Sequence, residues 1–170
     1  MNEEDMINGK EIVDREIVTT RLIHVPREFI FEFWTNPDHI KNWWGPNGFT
    51  NTIYKMDVTP GGQWEFVMHG PDGIDYPIKN VFIEIVKPEL IVFQHMDPTH
   101  QFVATASFEA LGGKTRLTFR MLFESAAEYE RVKMIVVDAN EQNFDRLEAC
   151  ININLNKKKE FIYGHQKGNP

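Results

Sequence analysis

The chain has 170 residues and a formal charge of −7, from 25 acidic and 18 basic side chains. This length suits one domain with one apolar core, and the acidic balance argues against a nucleic acid partner. Cys150 is the only cysteine, which excludes an intrachain disulfide, and no apolar run approaches the ~18 residues of a membrane-spanning helix.

The first predicted elements are a strand and two short helices. Residues 1–14 are charged and lack a pattern, so we expect a flexible leader, unlike a signal peptide, on a cytoplasmic protein. The segment Ile17–Val25 is rich in β-branched residues and ends before Pro26, which predicts a strand. Apolar residues at helical spacing in Phe29–Trp34 predict a short helix, and a second one follows through Trp43.

The middle of the chain has the period of two that is typical of strands. The breaks between its apolar segments are short and contain Pro, Gly or Asp, as turns do. Connections of this length join antiparallel neighbours, so we expect a meander at whose edge the first strand can pair. The six predicted strands of the meander are Phe49–Val58, Gly62–His69, Tyr76–Val86, Leu90–Met96, Phe102–Ala110 and Thr115–Phe123.

A long helix is predicted after the last strand. Ser125 and Glu128 have the spacing of a capping box, and the pattern then continues for about 28 residues, or as two helices joined near residues 138–140. A twisted sheet curls and must cover its apolar face, which predicts that this helix lies across it and leaves space for a ligand at one end. The predicted buried stripe is Val132, Ile135, Val136, Ala139, Asn143, Leu147, Cys150 and Ile151.

Four blocks of the sequence resemble one family. The blocks Val25–Pro37, Trp43–Pro46 (W-W-G-P), Asp57–Trp64 and Gly113–Thr118 occur in this order. They resemble the SRPBCC superfamily, in the branch named after the C-terminal-domain type of the activator of heat-shock-protein-ninety ATPase. The resemblance covers about residues 15 to 150.

The resemblance implies an α+β helix-grip fold, as in the birch-pollen allergen and START lipid-transfer domains. In this fold a curved antiparallel β-sheet wraps around a long C-terminal α-helix, with two short helices after the first strand. We expect this domain to span residues 15–155, followed by a polar tail of residues 156–170.

Residues facing an apolar cavity are the candidate ligand contacts. Alternation along strands places Trp64 with Phe66 on one face, and Phe93 with His95 likewise. Trp44 lies where the cavity mouth is expected, and of the Trp43-Trp44 pair we expect at most one to face inward. The predicted ligand-binding residues are Trp44, Phe49, Trp64, Phe66, Tyr76, Phe93, His95, Met121, Val136 and Asn143. Core packing is the alternative role for Trp44, Trp64, Phe66, His95 and Met121.

His95 is the candidate for a reactive group, because an imidazole titrates near neutrality and can act as an acid or a base. A histidine bonded to a buried structural partner explains the same position. The chain has neither the His-x-x-x-His spacing of a helical metal site nor a cysteine cluster, so we expect no metal and no cofactor.

The leading functional hypothesis is a protein that binds a small hydrophobic, aromatic or lipid-like molecule in an internal apolar cavity. One alternative is a cyclase/aromatase-like or hydrolase-like enzyme that uses the same cavity, so whether a reaction is catalysed is left open. The other alternative is a module that stimulates the ATPase of a heat-shock chaperone. Both a monomer and a homodimer are compatible with the sequence.

Overall fold

The computed structural model describes residues 14–166, with side chains through residue 164, so the predicted leader lies almost entirely outside the described residues. Seven strands form one sheet in the order β1-β7-β6-β5-β4-β3-β2, with every neighbouring pair antiparallel. The strands are β1 (Glu16–Ile23), β2 (Thr50–Met56), β3 (Gln63–His69), β4 (Asp75–Val86), β5 (Leu90–His95), β6 (Phe102–Leu111) and β7 (Lys114–Phe123).

The sheet confirms the predicted meander. Strands β2 to β7 follow one another along the chain and across the sheet, and β1 closes the far edge by pairing with β7. In this register Thr19 lies opposite Phe119, so β1 extends the apolar concave face of the sheet. The fold is therefore the expected α+β helix-grip arrangement.

Three helices complete the fold: α1 (Arg27–Thr35), α2 (Pro37–Ile40) and α3 (Ala126–Gln166). The side chain of Asn36 accepts a hydrogen bond from the Asp38 amide and so caps α2. At the start of α3, the Ser125 hydroxyl accepts from the Glu128 amide at 3.1 Å, as the capping spacing predicts. Helix α3 is unbroken over 41 residues and continues past residue 155, longer than the predicted 28.

One predicted member of the buried stripe of α3 is wrong. The side chain of Ile135 is 75% exposed, whereas Asn140, Leu147 and Ile151 are buried. Helix α3 packs along β1 and β7, and the covered side chains follow steps of three or four residues from Val136. Ile135 lies one residue, about 100°, away from that row and therefore faces solvent.

Aromatic side chains fill the core between the short helices and the sheet. This aromatic cluster consists of Trp34, Trp43, Trp44, Trp64, Phe93, Phe119 and Phe144. Trp43 is fully buried and its indole N–H donates to the Phe33 carbonyl at 3.0 Å, while Trp44 contacts Trp64 on the sheet. The expectation that at most one of the pair faces inward was wrong, because the turn that carries both lies between α1 and the sheet.

We predict that Gly62→Ala destabilises the fold much more than Gly73→Ala. A Cβ at Gly62 would lie 2.0 Å from the Asp57 carbonyl oxygen, in a turn held by backbone hydrogen bonds to Thr59 and Phe82. Gly73 has open space and a φ of +81°, so alanine there costs about 1 kcal/mol, against about 3 kcal/mol at Gly62. Urea unfolding of the two variants measures the difference, and equal midpoints would contradict the prediction.

Candidate functional site

The predicted ligand contacts on the sheet lie on its concave face, and most of them belong to the core. Trp64 contacts Trp44, Phe66 and Phe93, with ring centroids 5.1, 4.7 and 5.5 Å away. The rings of Trp64 on β3 and Phe93 on β5 contact each other and are fully buried. Met121 is buried as well. The structure therefore brings five of the predicted residues onto one surface, where they are packed against one another.

Two predicted residues lie at the less covered end of this face. Phe49 is half-buried and its ring lies 6.0 Å from that of Tyr76, which is 40% exposed. The Tyr76 hydroxyl donates to the Asp72 carboxylate at 3.2 Å. Val136, on α3, is half-buried against the core. Phe49, Tyr76 and Val136 are thus more accessible than the buried rings of the aromatic cluster.

A buried indole N–H on the concave face has no partner. Among the described residues, the Nε1 of Trp64 is inaccessible to solvent and makes no hydrogen bond. Its ring is stacked between those of Phe66 and Phe82, which offer no acceptor in the ring plane. Leaving a buried donor unpaired costs about 1–3 kcal/mol, so this group is a site at which an acceptor would bind favourably.

His95 lies two strands away from this donor. Its Nδ1 lies 2.9 Å from the amide oxygen of Asn80, and its ring stacks on Phe102 at 4.7 Å. Because an amide oxygen only accepts, Nδ1 carries the proton in this assignment and Nε2 presents a lone pair. Burial lowers the pKa of His95, with a smaller opposing effect from Asp97. The imidazole is therefore neutral at pH 7, as an acceptor requires.

Trp64, Asn80 and His95 form one polar row across three strands. Trp64 pairs with Asn80 in the β3–β4 register, and Asn80 pairs with His95 in the β4–β5 register. Side chains paired in this way point to the same face and lie side by side. Asn80 was not among the predicted site residues. Asn80 is one of several polar residues of β4, and its pairing depends on a register that the sequence does not specify.

The asparagines of α3 are occupied by the protein itself. Asn143, a predicted ligand contact, accepts a hydrogen bond from the Gly45 amide at 3.0 Å through its side-chain oxygen. Asn140 donates to the Thr19 hydroxyl at 3.3 Å and contacts the Met121 sulfur at 3.4 Å. Asn143 thus holds the loop that carries Trp44, and this oxygen is engaged by the backbone.

Arg146 fastens the same loop to α3. Its guanidinium donates to five backbone carbonyls of the loop between α2 and β2, at distances of 2.8 to 3.4 Å. Burial lowers the pKa of Arg146. Gln142 adds one bond, accepting from the Asn47 amide at 3.0 Å. No local pattern indicates this role, because the bonded residues are about a hundred positions apart.

The space between α3 and the sheet differs from the predicted enclosed cavity. At the end near α1 the aromatic cluster fills it. An open cleft of about 520 Å³ lies at β2 to β5 instead, lined by the predicted residues Phe66 and His95 together with Tyr54, Ile78 and Met96, among others. Residues from both faces of the sheet line this cleft, since alternation places Glu65 and Lys79 on the face opposite the core.

The architecture is that of a known family. A model of the family described as activator of Hsp90 ATPase homolog 1-like protein matches residues 24–152. The chain belongs to this family. Among the described residues of this family member, no helix is long and apolar enough to cross a membrane. No group of three or more potential metal ligands occurs in the same part of the chain.

Solved structures of bacterial proteins share the family fold. A protein from Arthrobacter aurescens has 21% identity and a TM-score of 0.77, covering 84% of this chain and 88% of its own. One from Nitrosomonas europaea has 17% identity and a TM-score of 0.76, covering 84% and 97%. An AHSA1-like protein from Aeromonas hydrophila has 17% identity and a TM-score of 0.68, covering 82% and 93%. No curated protein sequence matches the chain significantly.

A second series of hydrogen-bonded polar side chains lies on the outer face of the sheet. The Thr52 hydroxyl is 2.8 Å from His69 Nε2, and His69 Nδ1 is 2.7 Å from the Asp75 carboxylate. This order matches a nucleophile, a base and an orienting acid. All three groups are exposed on adjacent strands near the β2 edge, where water competes for each bond. We therefore interpret these hydrogen bonds as cross-strand pairing.

We predict that Trp43→Phe destabilises the protein more than Trp64→Phe, by about 1–2 kcal/mol. Both changes remove the same atoms from a fully buried ring, but only Trp43 loses a hydrogen bond, leaving the Phe33 carbonyl without this donor. Chemical denaturation of the two variants gives the difference. Equal losses of stability would show that the Trp64 N–H has a partner within the protein.

We predict that Arg146→Lys lowers the free energy of unfolding by about 3 kcal/mol. A lysine cannot donate to five carbonyls at once, because its ammonium has three donors and no planar fork. Gln142→Ala is the matched control and removes one bond to the same loop, costing about 1 kcal/mol. If the two variants unfold at the same denaturant concentration, Arg146 is not the main fastening of the loop.

We predict that His95 makes stability depend on pH below about 6.5. Burial places the folded-state pKa below the unfolded value, so the unfolded chain binds the proton first as the pH falls. This contribution is absent above the unfolded pKa and destabilises the wild type below it, by at most about 1.4 kcal/mol per pH unit. Unfolding of wild type and His95→Gln from pH 7.5 to 5 tests this. Parallel stability curves would contradict it.

Proposed function

We propose that the protein binds a small, mostly apolar molecule that carries one hydroxyl or similar polar group, against the polar row Trp64, Asn80 and His95. The unpaired, buried N–H of Trp64 supports this proposal most strongly. Proteins pair nearly all of their buried polar groups, so an unpaired donor marks a place where an acceptor is missing.

The polar row restricts the chemistry of the ligand. Trp64 Nε1 requires an acceptor, and the free Nε2 of a neutral His95 requires a donor. A hydroxyl group supplies both, because its oxygen accepts one bond while its hydrogen is donated. Phenols and alcohols therefore match this row better than ketones, which only accept, or hydrocarbons, which do neither.

The surroundings of the row favour an apolar remainder of the ligand. Phe66 stacks on Trp64, Phe102 stacks on His95, and Ile78 lies opposite Phe66 on β4. Burying apolar ligand surface here contributes about 25 cal/mol per Å². The cleft of about 520 Å³ beside these strands is within the size range of small-molecule sites and is lined by Phe66 and His95. Trp64 and Asn80 do not line it, so a ligand reaches the Trp64 N–H only when the packed rings move apart.

The same neutral His95 is the observation that favours an enzyme as the second candidate. A free Nε2 beside a bound hydroxyl can accept its proton as a general base, as a cyclase-like or hydrolase-like reaction would require. The third candidate, a heat-shock chaperone as partner, rests on the family description and on exposed Met134 and Ile135 on α3. No specific set of side chains supports a chaperone partner as the polar row supports a bound hydroxyl compound.

Calorimetric titration with 2-naphthol and with naphthalene tests the proposed function. The two probes have the same aromatic area, and only the first carries a hydroxyl. We expect Trp64→Phe to lower the affinity for 2-naphthol about tenfold, because one buried hydrogen bond is lost. The affinity for naphthalene should not change. Trp43→Phe is the control, since its N–H is bonded within the protein. Equal affinities of wild type and Trp64→Phe for 2-naphthol, or no binding of it, would overturn the proposal.

Native mass spectrometry of protein purified from its own host complements this titration. A stoichiometric hydroxylated apolar compound, released on denaturation, would support the polar row as its site. Recovery of a hydrocarbon or of a polyanion would contradict the chemistry that the row requires. A compound that is converted on incubation with the protein, but not with His95→Gln, would favour the enzyme.

A further inference from the structure

A groove outside the concave face has a chemistry of its own. It lies between the C-terminal half of α3 and the turn after α2, with a volume of about 440 Å³. We call it the cationic groove and define it by His39, Arg146, Cys150, Ile153 and Lys157. Asn42, Ala149 and Asn154 complete its lining. It shares no residue with the polar row, so it is a separate feature of the molecule.

The charge of this groove is opposite to that of the chain. The whole chain carries −7, yet no aspartate or glutamate lines the groove, which contains Arg146 and Lys157. Neither cation forms a salt bridge among residues 14–164. By contrast, Arg21 pairs with the carboxylates of Glu141, Asp145 and Glu148. Two cations that line one groove without a counter-charge in its lining give a local positive potential.

The two cations differ in what they can offer a ligand. Arg146 donates to five backbone carbonyls, so it supplies charge rather than free donors. Lys157 is exposed and makes no hydrogen bond with the rest of the described chain, which leaves its ammonium group available. His39 is stacked on Phe33 at 4.2 Å, which fixes the position of its ring at the opposite wall. A bound group would therefore be held directly by Lys157.

The groove also has an apolar part. Arg146, Cys150, Ile153 and Lys157 follow one another along α3 at steps of three or four and line one stripe. The backbone positions of Arg146 and Lys157 are about 16 Å apart along the helix axis, and Cys150 and Ile153 lie between them in sequence. Ile153 is 58% exposed in the absence of anything covering it. A ligand that spans this stripe needs both a charged and an apolar part.

We propose that the cationic groove binds a small organic oxyanion, a carboxylate or phosphate carried on a short apolar chain. The oxyanion pairs with Lys157 in the field of Arg146, and the chain covers Ile153 and Cys150. This assignment is independent of the proposed function, because the polar row selects a neutral hydroxyl compound and lies on the concave face of the sheet.

Hexyl phosphate is the probe for this site, with inorganic phosphate and 1-hexanol as probes that carry only one of its two parts. We expect hexyl phosphate to bind more tightly than either, with an affinity that falls as salt is raised. Lys157→Gln should weaken it about tenfold, the loss of one charge-assisted pair. Lys55→Gln is the matched control, because it removes an exposed lysine on β2 that lines neither this groove nor the cleft beside the polar row.

Cys150 reports whether the probe is in the groove, because it is the only cysteine of the chain and is half-buried there. Hexyl phosphate should slow its alkylation by iodoacetamide in wild type and in Lys55→Gln, and much less in Lys157→Gln. Circular dichroism and thermal melting confirm that each variant is folded. If hexyl phosphate does not bind, if both lysine variants bind it equally, or if Cys150 is not protected, the proposal is wrong.

Discussion

The sheet of this protein has one apolar concave face, and the fold depends on how that face is covered. A strongly curved antiparallel sheet cannot leave such a face in water. Helix α3 packs mainly on β1 and β7, so it covers that side of the face. The turn with Trp43 and Trp44 covers the region next to it, and Arg146, Asn143 and Gln142 hold the adjoining loop in place. Helix α3 thus covers part of the sheet directly and also positions the turn with Trp43 and Trp44, which covers the adjacent part.

The buried tryptophans differ in whether the protein pairs their N–H groups. Near α1 the tryptophan rings pack closely and Trp43 donates to a backbone carbonyl, so the polar atom of that ring is paired. On β3 the Trp64 ring packs against other rings. The side chain next to it across the sheet is Asn80, and the one beyond is His95. Asn80 already accepts from His95. Trp34 Nε1 on α1 is also buried and unpaired, so what distinguishes Trp64 is the neutral His95 in the same polar row, and not the unpaired donor alone.

The sequence predicted the fold much better than the site, and the reason is physical. Alternation and turn residues identify strands locally, and they correctly placed Trp64 and His95 on the concave face. The polar row needs the pairing of Trp64 with Asn80 and of Asn80 with His95, and a register is a property of two strands. The burial of Trp43 likewise depends on α1 lying behind it. These features follow from tertiary contacts, which local patterns do not encode.

Charge along α3 is segregated, and this bears on what the molecule can bind. Glu141, Asp145 and Glu148 converge on Arg21 of β1, on one side of the helix. Arg146 lies among them in sequence, yet its guanidinium points to carbonyls on the other side. If Arg146 served only to balance the charge of the helix, one of these carboxylates would pair with its guanidinium. Because the backbone carbonyls satisfy the donors of Arg146 without neutralising its charge, the groove beside it stays positive in an acidic protein, and an anion is the ligand that such a surface attracts.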